Sequence, residues 1–151
     1  DPAHLHSLIP DPPAAAVVRE IYQLYIDGFS LSKIASLLTK KQVMPPCFYK
    51  IQHGILFQTP FSKNKITDEA DGKIPKWSAS SVRHILTNPV YTGTLIQGTT
   101  KKESAKSKKR IKLSSTEWII YPNAHPALIS EDIFCEVSSL LQKRRKKNKK
   151  V

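Results

Sequence analysis

Trp77-Ser78-Ala79-Ser80-Ser81-Val82-Arg83-His84-Ile85-Leu86-Thr87-Asn88-Pro89-Val90-Tyr91-Thr92-Gly93-Thr94-Leu95-Ile96-Gln97 holds the change of hydrophobic period on which the fold turns. Ser78 is a favourable N-cap, and Trp77 and Val82 have the spacing of a hydrophobic staple. Val82, Ile85 and Leu86 recur at helical spacing and define an inner face. Ser80, His84 and Thr87 fall on the opposite side of the wheel, with Arg83 on the flank. Asn88-Pro89 stops the helix, because the residue before a proline is pushed out of the helical region. Val90 to Gln97 then reads as a strand, with Gly93 as a bulge or a point of close backbone approach.

Downstream lies a basic stretch within residues 98–115, read as a hairpin loop. Glu117 to Tyr121 reads as a second strand, antiparallel to the first. Ser130 caps a last helix, with Ile129 and Phe134 at staple spacing. Ile133, Phe134, Val137, Leu140 and Leu141 make its apolar stripe before the chain enters a Lys/Arg tail at 143–151. His125-Pro126 reads as a turn in which the imidazole bonds a nearby carbonyl.

Upstream, residues 1–10 read as an extended segment. Asp11 caps a helix with Pro12 at its first position, where the missing N–H costs nothing. Val17, Ile21, Leu24 and Tyr25 form its stripe, with Val18 on the margin, and Gly28 ends it. Ser30 caps a second helix with Leu31, Ile34, Ala35 and Leu38 inward, and Phe29 and Ile34 as its staple. Residues 41–76 read as a long inserted loop broken by Pro45-Pro46, Gly54, Pro60, Gly72 and Pro75. Its aromatic and aliphatic content suggests ordered packing, with strands at 48–51 and 55–58 and a mobile part at 62–73. One domain over 11–142 is the expected organisation.

Charge narrows the function. Lys plus Arg number 24 against 12 Asp plus Glu, a net charge of +12 over 151 residues. Residues 101–112 and 143–150 each hold seven positives, with Glu103 their sole acid, which leaves the remainder near neutral at −1. A solvated surface normally mixes both signs, so two one-signed blocks point to a polyanion. The tail also suits a plain linker. No apolar run reaches the roughly 18 residues of a membrane span. Cys47 and Cys135 stand far apart without a zinc-type pairing. His4, His6, His53, His84 and His125 are scattered, and neither a metal nor a cofactor is expected. No nucleophile–base constellation stands out, so the fragment is not read as an enzyme. A cytoplasmic protein is expected.

Helix, turn, helix, long loop, helix, strand, basic loop, strand, helix is an α+β, mostly helical order. A helix-turn-helix-like three-helix core followed by an antiparallel β-hairpin is the plan of a winged DNA-binding domain, whose third helix enters the major groove. Ser80, Arg83, His84 and Thr87 are the candidates for the groove. Lys101, Lys102, Lys106, Lys108, Lys109, Arg110 and Lys112 are the candidates for the phosphates. A helix-turn-helix transcriptional regulator and an RNA-binding accessory module are the alternatives.

Six stretches, in order, resemble the recombinase domain of large serine recombinases, the integrases and transposases of phages and mobile elements. They are Ile9-Pro10-Asp11 leading into Val17-Val18-Arg19-Glu20-Ile21-Tyr22; Gly28-Phe29-Ser30 leading into Ile34-Ala35-Ser36-Leu37-Leu38; and Trp77-Ser78 leading into Val82-Arg83-His84-Ile85-Leu86. Asn88-Pro89-Val90-Tyr91-Thr92-Gly93, His125-Pro126-Ala127-Leu128-Ile129-Ser130 and Phe134 through Leu141 complete the set. The resemblance covers roughly 9–145 and departs from the usual pattern in the length of 41–76. It implies sequence-specific binding of double-stranded DNA at one half of an attachment site. It further implies a bacterial or mobile-element parent that integrates or excises DNA, carries its catalytic serine in another domain, and self-associates as a dimer or tetramer on DNA.

Overall fold

Asp11 precedes helix α1 (Pro12–Ile26), and its carbonyl accepts the Ala15 N–H at 2.8 Å. The computed structural model describes residues 8–54, 76–104, 107 and 109–148, with side chains described as far as Arg145. Helices α2 (Leu31–Lys40), α3 (Pro46–Gln52), α4 (Ala79–Leu86) and α5 (Glu131–Asn148) complete the helical set of the described residues. The strands are β1 (Leu95–Gln97), β2 (Thr100–Lys102), β3 (Arg110–Lys112) and β4 (Ile119–Tyr121). The class is α+β and mostly helical, as the patterning predicts. Internal contacts divide the chain into two units, one of Gln23–Ile85 and one of Asp1–Tyr22 with Leu86–Val151.

In the 23–85 unit, Gly28 at φ +97 closes α1 with paired bonds, Phe29 N–H to Leu24 O at 3.1 Å and Gly28 N–H to Tyr25 O at 3.2 Å. Those two bonds are the Schellman pattern. Ser30 then caps α2, its hydroxyl accepting the Lys33 N–H at 3.2 Å. The same closing pattern ends α2, with Val43 N–H on Leu38 O and Gln42 N–H on Thr39 O, both at 3.0 Å. Gln42 occupies the left-handed position at φ +57. Trp77 ties α4 back to this corner. Its indole N–H donates to Val43 O at 2.8 Å and its backbone N–H to the Thr39 hydroxyl at 3.0 Å. Tyr25, Ile34, Ala35, Leu38, Trp77, Val82 and Ile85 are buried in this unit. Each large side chain among them contributes about 1.5–3 kcal/mol of hydrophobic stabilisation.

The strand expected at 48–51 is instead helix α3. Pro45 takes the extended cap conformation and Pro46 the first helical position, so the proline pair opens a helix rather than breaking one. Tyr49 stacks on His53 one turn later at 4.2 Å between ring centroids. The strand expected at 55–58 and the polar stretch 62–73 lie outside the described residues, as do residues 1–7.

In the other unit, Ala15, Val18, Ile21, Tyr22, Leu86, Thr92, Ile129, Val137 and Leu141 are buried. The α1 stripe is therefore rotated from the expected one: Val18 and Tyr22 are inside, and Val17 is only half-buried. Val18, Ile21, Tyr22 and Tyr25 fit helical spacing equally well once the tyrosine rings count as core material. On α5, Val137 and Leu141 are inside while Ile133 is 37% exposed. Ser130 does cap it, its hydroxyl accepting the Ile133 N–H at 3.4 Å.

The strand expected from Val90 begins only at Leu95. Pro89–Thr92 is a 3-10 turn capped by Asn88, whose side chain accepts the Val90 N–H at 3.1 Å. The Thr92 hydroxyl donates to Pro89 O at 2.9 Å, and Gly93 ends the turn at φ +84. The second expected strand is likewise shorter at its start. Ser115–Glu117 is a 3-10 turn held by a capping box between Ser114 and Glu117. β1 and β4 pair antiparallel, with Ile96 opposite Ile120.

Candidate nucleic-acid interface

Ser78 starts α4 through its hydroxyl, which accepts the Ser81 N–H at 3.0 Å and lies 2.8 Å from the Ser81 hydroxyl. That geometry turns Val82, Ile85 and Leu86 inward and leaves Ser80, Arg83 and His84 exposed, with Thr87 exposed just beyond the helix. Ser80, His84 and Thr87 recur at four- and three-residue intervals, so they share one side of the helix. Ser80 is small enough to let the start of α4 approach a base edge, and Arg83 and His84 carry donors suited to guanine acceptors or phosphate oxygens.

The basic stretch is not a plain loop. β2 and β3 pair antiparallel, placing Thr100 opposite Lys112, Lys101 opposite Ile111 and Lys102 opposite Arg110. Two further bonds extend the ladder, Leu113 N–H to Thr99 O at 3.0 Å and Glu103 N–H to Lys109 O at 3.1 Å. Lys101, Lys102, Lys109, Arg110 and Lys112 are all exposed. Lys109 meets Glu103 at 3.2 Å, an exposed ion pair of little energetic weight. Lys106 and Lys108 lie outside the described residues. Among the described residues, no group of His, Cys, Asp and Glu is placed to hold a metal ion.

Backbone bonds join the stretches that flank the β1–β4 pair. Gly93 O accepts the Ala124 N–H at 2.9 Å, and Tyr91 O accepts the N–H groups of Leu128 at 2.9 Å and Ile129 at 3.0 Å. His125 Nε2 donates to Val90 O at 2.6 Å, as the turn reading of His125-Pro126 anticipates. That bond fixes the imidazole tautomer, and the buried Nδ1 has no partner. Burial raises the Tyr22 phenol well above its ordinary value, and the neighbouring Tyr91 adds to the rise. Burial raises Tyr91 as well. The 88–93 and 125–130 stretches are thus one clip, joining the end of β4 to the start of β1 and leading into α5. The sequence marks Asn88-Pro89 as a helix stop, Gly93 as a point of close approach and His125-Pro126 as a turn, each by itself. Their mutual contact was hidden because the partner carbonyls carry no side-chain signal.

The chain is thus small, cationic and α+β, with an exposed basic ribbon. The chain belongs to the Recombinase family, the recombinase domain of serine recombinases, whose model matches residues 12–144. Over 72 residues it is 38% identical to "Uncharacterized protein YefB" of Bacillus subtilis (strain 168), a match that covers 48% of this chain and 24% of that protein. The matched part is thus about a quarter of that relative's length. No solved structure matches the chain. No helix among the described residues is long and apolar enough to cross a membrane.

Proposed function

We propose that this chain is the DNA-positioning module of a site-specific recombinase and binds duplex DNA over one half of a recombination site. The observation that supports it best is the exposed cationic ribbon in a member of the Recombinase family. In this reading α4 lies in the major groove with Ser80, Arg83, His84 and Thr87 toward the base edges. The groove is about 12 Å wide and admits one helix. The ribbon meets phosphates and sets the register, so that the parent's catalytic serine, supplied by another domain, is brought to the crossover point. Two or four copies of the parent assemble on the paired sites.

The RNA-binding alternative needs aromatic rings free to stack on bases. Of the three candidates, Tyr91 sits in the 3-10 turn and is half-buried, and the Trp118 indole donates to Leu113 O at 3.2 Å. Only Tyr121 is widely exposed. Titration of a labelled attachment-site duplex, with RNA of the same sequence as competitor, tests the reading. Duplex DNA wins under this account; RNA competing on equal terms would overturn it. A footprint on a simple palindrome without attachment-site character would favour the transcriptional-regulator alternative.

A further inference from the structure

We propose that the β2–β3 ribbon meets duplex DNA with one face only, the face carrying Thr100, Lys102, Arg110 and Lys112. The proposal rests on the DNA-binding reading above and names which side of the ribbon is the interface.

Cross-strand partners share a face, and successive pairs alternate faces. The registered pairs Thr100/Lys112 and Lys102/Arg110 therefore stand together on one side. That side has three cations and no acid. Lys101/Ile111 stands on the other side, together with the flanking pairs Glu103/Lys109 and Thr99/Leu113. There, two lysines are offset by Glu103, with Lys109 already engaged at 3.2 Å, and Ile111 and Leu113 are aliphatic. One face is a concentrated positive field and the other is almost balanced.

The ladder sharpens the contrast. The bonds at 103/109 and 99/113 mark those pairs as hydrogen-bonded, so alternation makes 100/112 and 102/110 the non-hydrogen-bonded pairs. Side chains come closest at such pairs. Lys102 and Arg110 are like charges directly opposite each other there, an arrangement unfavourable by itself. The next acid along the chain, Glu117, is held by its own turn, its carboxylate accepting the Ser114 N–H at 3.1 Å. A row of phosphates would relieve this repulsion.

The test uses the 151-residue chain and two double variants that lose the same charge, Lys102→Ala with Lys112→Ala and Lys101→Ala with Lys109→Ala. Fluorescence anisotropy with a labelled duplex is followed from 50 to 200 mM salt. The Lys102/Lys112 variant should lose about 1.8 units of the log–log salt slope and at least about tenfold in affinity at 100 mM salt. The Lys101/Lys109 variant, whose cations stand on the other face, should lose much less of both slope and affinity. The melting temperature of the Lys102/Lys112 variant should hold or rise, since a like-charge contact is relieved, which separates lost contact from lost fold. Equal losses in the two variants would overturn the one-face assignment while leaving DNA binding intact. Absence of salt-dependent duplex binding by the unaltered chain would overturn the functional reading, and this inference with it.

Discussion

A Cβ on Gly93 would lie 2.7 Å from the His125 carbonyl oxygen, and the backbone there has φ +84. Both facts oppose a side chain, and the obstacle is backbone rather than a flexible neighbour. Gly93→Ala should destabilise the fold by roughly 1–3 kcal/mol, read as a lower urea midpoint. Gln42 is the opposite case. It holds the left-handed closing position of α2 without being glycine, and it is exposed. Gln42→Gly should stabilise by about 1 kcal/mol, because the helix closure keeps its two bonds while the Cβ strain goes. An unchanged or lower midpoint would contradict that reading. Tyr22 and Tyr91 set an alkaline limit. Their phenols lose protons less readily in the folded chain than the ordinary value of 10.0 allows. The unfolded chain therefore releases protons first, and stability should fall as pH rises above about 10. Melting temperatures taken from pH 8 to 11 check the direction.

At the scale of elements, the caps were the most legible part of the sequence. Ser30, Ser78 and Ser130 all cap helices, because a hydroxyl beside an apolar period is a local signal with a local cause. Prolines misled where their role depends on direction: Pro46 opens α3, and Pro89 opens a 3-10 turn in place of a strand. The ribbon was read as a loop because lysine is a poor strand former, and the 101–112 stretch shows little alternation of apolar and polar residues. Only Arg110-Ile111-Lys112 hinted at two faces. The polar side of α4 was legible from its wheel, and its exposure agrees with the spacing of Ser80, His84 and Thr87. Its use in the groove makes a separate prediction. Arg83→Ala should weaken binding to the attachment-site duplex by about 1–3 kcal/mol and binding to random duplex by much less. Equal losses on both would show a phosphate contact and no base reading. The last turns of α5 are strongly basic from Lys143 onward, a sign that suits the negative end of a helix dipole.

Over the whole molecule, charge is concentrated rather than spread, and the account stands or falls on a duplex as its partner. The blocks at 101–112 and 143–150 hold 14 of the 24 Lys and Arg residues. If half of those 14 met phosphates, counterion release would give a log–log salt slope of about −6. Family kinship was legible from short stretches in order, since the 88–93 and 125–130 stretches form one backbone clip whose geometry restricts their residues. The target sequence was not legible, because base reading depends on side-chain placement that no spacing rule supplies. The most direct measurement is the affinity of the 151-residue chain for an attachment-site duplex as salt is raised from 50 to 200 mM. The account predicts a slope near −6 and a loss of several thousand-fold. A slope near zero, or the same affinity for uncharged and charged competitors, would contradict it.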